Sequence, residues 1–152
     1  MYGFVTHTWN SIKGKCSHDC EYCYMKAFRQ KDIRLDRKEF ETDMGENNFI
    51  FVGSSCDMFA DDVPKFWIEE VLAHCVKYHN NKYLFQTKNP RRVLAMENDN
   101  PKDATRGSTI ESNREYEAMG YAPVVEGRGA MMVYIKNKGF NTMVTIGPIM
   151  DF

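Results

Sequence analysis

The sequence has no long hydrophobic run and no excess of charge of one sign. None of its apolar stretches approaches the roughly 18 residues that a membrane-spanning helix needs, so we expect no membrane partner. The 152 residues include 20 Lys and Arg against 21 Asp and Glu, which gives a net charge of −1. This balance argues against a protein that coats DNA by bulk electrostatic attraction.

The sequence also lacks a secretory signal, a low-complexity tract and an even number of cysteines. Met1–Asn10 has no basic stretch followed by an apolar one, so we expect a cytoplasmic protein. Five cysteines without a signal argue against a disulfide framework. Hydrophobic residues make up 43% and charged residues 27%, which is ordinary globular composition. The length suits a single domain over residues 1–152 with a real core.

Strand-like and helix-like segments alternate along the chain. Runs rich in apolar, aromatic and β-branched residues predict five strands, at Tyr2–Trp9, Asn48–Gly53, Lys82–Thr87, Thr105–Glu111 and Thr142–Ile146. Helices are predicted from Asp61 to about His79, over Pro90–Glu97 and over Ala130–Lys138, with Tyr24–Phe40 partly helical. The alternation indicates an α/β fold with a parallel sheet, either open or part of a (β/α) barrel. In both, chemistry gathers where the strands end.

Three cysteines share one short loop directly after the first predicted strand. Cys16, Cys20 and Cys23 form a C-x3-C-x2-C triplet. One interpretation is a structural zinc site with His18 or a distant residue as the fourth ligand, although zinc sites more often present paired C-x2-C knuckles. The other is a [4Fe–4S] cluster, which normally takes four thiolates. Three thiolates leave one iron without a protein ligand, and that iron can bind a small molecule.

The triplet with Tyr22 before its last cysteine resembles the motif of the radical S-adenosylmethionine (SAM) superfamily. The resemblance implies that SAM chelates the open iron and is split by an electron into methionine and a 5′-deoxyadenosyl radical. It also implies a flavodoxin-like or ferredoxin-like electron donor. The substrate is unknown, with nucleic acid among the candidates. The alternative function is a non-enzymatic zinc module that acts as a partner or nucleic-acid adaptor.

Further segments are similar to a phage-associated branch of uncharacterised radical-SAM proteins, which would place the protein in a host cytoplasm. These segments are Thr8-Trp9-Asn10, Asp57-Met58-Phe59, Asp62-Val63-Pro64, Thr87-Lys88-Asn89-Pro90 and Ile149-Met150-Asp151-Phe152.

The superfamily resemblance also implies which residues contact SAM. Its members bind the SAM amino group at a glycine-rich turn after the second strand, where Gly53, Ser54 and Ser55 stand. Lys88, after the third strand, is a candidate for the SAM carboxylate or for an anionic substrate. Candidates for the ribose hydroxyls and the carboxylate lie at the end of the fourth strand, at Thr109, Glu111, Asn113 and Arg114. Ile146 and Gly147 are candidates for the adenine, and Tyr22 for the cluster and adenine. Ordinary turns and solvated loops remain the alternatives.

The superfamily core usually has six βα units, whereas five are predicted here. We therefore expect a partial barrel whose sixth unit is missing, a chain truncated at its C-terminus relative to the family. An exposed edge on the fifth strand would be covered by a partner chain or by self-association. A basic run from Lys26 to Lys38 is predicted as a solvated helix face, with a nucleic-acid footprint as the alternative.

Overall fold

The computed structural model of the protein describes residues 2–96, 99 and 101–151. Its centre is a five-stranded parallel sheet in the order β1-β4-β5-β6-β7. These strands are His7–Trp9 (β1), Phe49–Val52 (β4), Lys82–Thr87 (β5), Ala104–Ser112 (β6) and Asn141–Asp151 (β7). Neighbouring strands in the sheet follow one another along the chain, which is the order of a barrel and not of a doubly wound sheet.

Three α-helices connect these strands and cover the outer face of the sheet. They are Lys65–Lys77 (α1), Pro90–Leu94 (α2) and Val125–Asn137 (α3). The burial pattern of β4 alternates, so that Ile50 and Val52 join Leu72 of α1 in the hydrophobic core. Phe49 and Phe51 point to the opposite face, which the helices leave open. The core therefore lies between sheet and helices, and the open face is free for a ligand.

The chain between the first two sheet strands is mostly irregular. It contains a two-stranded antiparallel hairpin of Ile12–Lys13 (β2) and Arg34–Leu35 (β3), and the 3-10 helices Tyr24–Ala27 and Arg37–Glu41. The expectation of one solvated helix face from Lys26 to Lys38 is therefore wrong. Its residues are divided among a 3-10 turn, a strand and a second 3-10 turn, and each of these presents its side chains differently.

Several predicted boundaries also differ. The first strand begins at His7 and not Tyr2, and α1 begins at Lys65, with Pro64 rather than Asp61 at its N-cap position. Instead, Asp61 Oδ1 accepts a hydrogen bond from Asn89 Nδ2 at 2.8 Å. The last strand continues to Asp151, since an edge strand tolerates the Gly147-Pro148 step.

The last helix begins earlier in the sequence than predicted. α3 begins at Val125, whose backbone N–H donates to Glu115 Oε1 at 2.5 Å, rather than at Ala130. The second predicted helix ends at Leu94, and its predicted end, Glu97, lies outside the described residues, as do Met1 and Phe152. Within the described ranges, no helix is both long and apolar enough to span a bilayer.

Candidate active site

A cavity of about 1170 Å³ opens at the carboxyl ends of the parallel strands. Its floor is the open face of the sheet, where Thr8, Phe51 and Gln86 line it. Its wall is the cysteine loop, with Cys16, Cys20 and Cys23 all in the lining. Typical small-molecule pockets have volumes of about 300–1,000 Å³, so this cavity is large enough for a small-molecule ligand.

The three cysteines of the loop face one cavity without converging on one point. Cys16 accepts a hydrogen bond from the Cys56 thiol, which lowers the pKa of Cys16. Cys20 lies 3.2 Å from the ammonium group of Lys88. A zinc ion needs ligands that meet at one tetrahedral centre. Within the described part of the chain, no three His, Cys, Asp or Glu side chains meet in that way. A [4Fe–4S] cluster differs from zinc in that each of its thiolates binds a different iron.

A buried ion pair anchors the cysteine loop to the sheet. His18, between the first two cysteines, lies 2.9 Å from Asp57 Oδ2 through its Nε2 atom. The same carboxylate accepts hydrogen bonds from Thr87 Oγ1 and the Lys88 backbone N–H, both at 2.8 Å. Burial alone would raise the pKa of Asp57, but these bonds outweigh it and the pKa is lowered. Burial would lower the pKa of His18, but Asp57 outweighs burial and raises that pKa, so the contact favours the charged imidazole.

A second buried network of hydrogen bonds and ion pairs, centred on Glu111, extends through Lys88 to Cys20. Glu111 Oε1 accepts hydrogen bonds from Tyr22 Oη and Lys88 Nζ, each at 2.6 Å. Its other oxygen forms an ion pair with Arg128 Nη2 at 2.9 Å. Burial would raise the pKa of Glu111, but Arg128 and Lys88 hold it below the usual value. The Lys88 ammonium also lies 4.4 Å from the centre of the Tyr22 ring, and burial raises the pKa of that phenol. A line of alternating charges thus runs from α3 to the cysteine loop.

The turn after β4 is held open by Asn10. Gly53 has a φ of +76°, which disfavours any side chain there. The Oδ1 atom of Asn10 accepts from the Ser55 backbone N–H at 3.0 Å and from both serine hydroxyls, at 3.2 Å for Ser54 and 3.1 Å for Ser55. Gly53, Ser54 and Ser55 all line the cavity.

The structure brings only some of the other predicted site residues to the cavity. Thr109 and Gly147 line it, and Thr109 accepts a hydrogen bond from Gln86 Nε2 at 2.9 Å. Glu111 is fully buried behind Lys88, outside the lining. Ile146, Asn113 and Arg114 also lie outside the lining, and all three are exposed or half-exposed. Arg114 forms a surface ion pair with Asp151 at 3.2 Å.

Sequence reasoning missed Asp57, Asn10 and Arg128 as parts of the site. Asp57 and Asn10 both fall in segments that the radical-SAM resemblance covers, which is the signal that could have found them. Arg128 stands between two glycines in a weakly patterned helix, and no feature of the sequence connects it to Glu111.

A model of one protein family matches residues 2–122. The chain belongs to this family, DUF5131, which is described as "Protein of unknown function". No curated protein matches the chain.

Solved structures of spore photoproduct lyase, a radical SAM enzyme, share the fold of this DUF5131 chain. A mutant with bound AdoMet and dinucleoside spore photoproduct gives a TM-score of 0.70 at 14% identity and covers 93% of this chain. The complex with dinucleoside spore photoproduct gives 0.70 at 15% identity, again over 93%. This chain spans 45% of either of those chains. The prediction of a partial parallel (β/α) barrel of the radical-SAM type is confirmed.

Proposed function

We propose that this DUF5131 chain carries a [4Fe–4S] cluster on Cys16, Cys20 and Cys23 and reductively cleaves SAM to act on a further substrate. One observation carries the proposal: the three cysteines of a C-x3-C-x-aromatic-C loop line a single cavity at the carboxyl ends of a parallel partial barrel. When bound, the cluster supplies an open iron and the electron that splits SAM.

The residues around the cavity fit a zwitterionic nucleoside ligand. Lys88 offers an ammonium group to a carboxylate, although Glu111 already holds it from behind. The backbone at Gly53 allows close approach of an amino group, and Asn10 fixes the neighbouring serines. Thr109 and Gly147 line the part of the cavity floor nearest β6 and β7. These residues bind and orient the ligand, and the cavity restricts the access of water to it.

The proposal extends to partners that belong with this chemistry. A flavodoxin-like or ferredoxin-like protein would deliver the electron, in the cytoplasm or in a host cytoplasm if the protein is viral. The similarity of Asp57-Met58-Phe59 and Thr87-Lys88-Asn89-Pro90 to the phage-associated branch supports the viral origin. Asp57 and Lys88 both belong to the site.

Anaerobic reconstitution with iron and sulfide tests the proposal. We expect the wild-type chain to become brown, with absorbance near ~400 nm from sulfur-to-iron charge transfer, and to form 5′-deoxyadenosine from SAM under reducing conditions. Alanine variants of Cys16, Cys20 and Cys23 should each lose the cluster. Cys75→Ala is the matched control because Cys75 is buried in α1, away from the cavity.

Two outcomes would overturn the proposal. A colourless protein with one bound zinc ion would support the zinc module instead. A full iron content in any variant of the triplet would remove the ligand assignment. Cys56→Ala should keep its iron, because a fourth cysteine ligand would close the site to SAM.

A further inference from the structure

Two exposed aromatic rings stand at the mouth of the cavity. Tyr24 and Phe28 are 63% and 62% exposed, and both line the cavity. Neither ring contacts another ring among the residues that the structure describes. The Tyr24 hydroxyl donates to the Ser54 carbonyl at 2.8 Å, which holds its ring in place. Large solvent-exposed aromatic rings beside a cavity indicate a surface on which another planar group can stack.

The same segment is strongly basic, in contrast to the chain as a whole. Residues 24–38 contain six basic side chains against two acidic ones, Asp32 and Asp36. Arg29 and Lys31, next to Phe28 and Gln30, are exposed. No ion pair joins either of them to an acid within residues 2–96, 99 and 101–151. Their positive charge is therefore available to an anionic ligand.

We propose that this mouth, with Tyr24 and Phe28 in the cavity lining and the exposed Arg29 and Lys31 on the adjoining segment, binds single-stranded nucleic acid. Bases stack on the two rings, and the phosphates contact the two cations. A duplex hides its base faces, so the open rings favour a single strand. An acidic peptide would match the cations but would leave the rings unused. The proposal rests on the proposed function only in treating the bound strand as the substrate; the binding itself needs no cluster.

Fluorescence anisotropy with a labelled single-stranded oligonucleotide tests the proposal on the full chain, both iron-free and reconstituted. Tyr24→Ala and Phe28→Ala should each weaken binding by roughly fivefold or more, which is the range for one base–aromatic stack. Tyr121→Ala is the matched control, since Tyr121 is 82% exposed but lies outside the cavity lining. Circular dichroism establishes that each variant is folded.

The charged side chains are tested through the salt dependence of binding. The double variant Arg29→Gln/Lys31→Gln should reduce the slope of log affinity against log salt by about 1.4, or about 0.7 for each phosphate that the protein no longer neutralises. Lys136→Gln, on the exposed side of α3, should leave the slope unchanged.

The outcomes separate this inference from the proposed function. No binding by wild-type protein at low salt, equal losses in the Phe28 and Tyr121 variants, or tighter binding of a duplex of equal charge would each overturn the nucleic-acid site alone. Intact oligonucleotide binding by a chain that forms no cluster would overturn the proposed function and leave this inference standing.

Discussion

Arg128 and Glu111 form an ion pair that has no contact with solvent. Both side chains are fully buried, and the Arg128 guanidinium also donates to the Thr109 carbonyl at 2.6 Å. A buried ion pair is rarely retained for stability alone, because desolvation offsets most of its attraction. Here the pair fixes the carboxylate that holds Lys88 and Tyr22, and both of these contact Cys20. We infer that Arg128 is a positioning residue for the cysteine loop.

Arg128→Met should destabilise the iron-free chain by about 3–5 kcal/mol, because it leaves the Glu111 charge buried without its main partner. Urea unfolding measures the effect. The double variant Arg128→Met/Glu111→Gln should recover part of the loss, since glutamine keeps an oxygen for Tyr22 and Lys88 but carries no charge. Arg114→Met is the control, because its ion pair with Asp151 is exposed. Equal losses of stability in Arg128→Met and Arg114→Met would show that the buried ion pair contributes no more to stability than the exposed one.

Tyr22 has two separable features, a ring and a hydroxyl. Tyr22→Ala should keep iron but weaken SAM binding by up to about tenfold, the range for loss of one ring contact. Tyr22→Phe keeps the ring and removes the hydroxyl that donates to Glu111, so it should bind SAM nearly as the wild type does. Titration of SAM against the electron paramagnetic signal of the cluster measures both. Unchanged affinity in the alanine variant would leave Tyr22 with a packing role only.

The elements that the sequence predicts well are those with a strong local pattern. Phe49–Val52 is a continuous apolar run and Lys82–Thr87 contains the run Tyr83-Leu84-Phe85, and the positions of both strands are confirmed within about one residue. The start of α3 escapes prediction because Gly127 and Gly129 weaken its helical pattern and its N-terminus depends on the distant Glu115. The segment after the cysteines has no hydrophobic periodicity, and it forms two short 3-10 helices and a short strand.

The same difference holds for the site. The cysteine triplet is a local spacing, so the sequence alone indicates its chemistry. The partners of the cysteine loop come from other elements. His18 and Asp57 are 39 residues apart in the sequence, and Cys20 and Lys88 are 68 apart. Whether a lysine faces solvent or a buried carboxylate depends on such contacts. The sequence predicts Lys88 and Glu111 as ligand contacts, but it does not indicate that the two side chains form an ion pair with each other.

The loops after β1, β4 and β5 meet at one carboxylate, that of Asp57. Asp57→Asn should destabilise the iron-free chain by about 2–3 kcal/mol, because it removes charge-assisted hydrogen bonds from a buried site. The ionised Asp57 contributes above its usual pKa of 3.8 and loses this as pH falls through its lowered value. The charged His18 contributes below 6.5 and loses this as pH rises through its raised value. The difference between wild type and variant is therefore largest from about pH 4 to 6.5.

Thermal unfolding measured below, within and above that pH range, in wild type and variant, tests this difference, which should shrink on both sides of the range. Asp36→Asn serves as the control, since Asp36 pairs with Lys13 at the surface. A difference between wild type and Asp57→Asn that does not change with pH would contradict the charged state of the His18–Asp57 pair.

The two edges of the sheet are unequal. β1 is three residues long, whereas β7 is eleven residues long and, among the residues that the structure describes, pairs on one side only, with β6. Val144, Ile146 and Ile149 of β7 are all at least half-exposed. A long parallel edge with apolar side chains favours pairing with another chain, since parallel strands are normally covered on both faces.

We expect the isolated chain to self-associate, or to require a partner chain, through β7. Light scattering on cluster-loaded protein should report a mass above that of one chain, and SAM cleavage by the chain alone should be weak. The variants Ile146→Lys and Ile149→Lys place charges on the edge and should shift the protein toward the monomer. Val133→Lys, at an exposed position on α3, should leave the mass unchanged. A stable wild-type monomer that turns over SAM many times would show that five strands suffice for the reaction and that the β7 edge needs no cover.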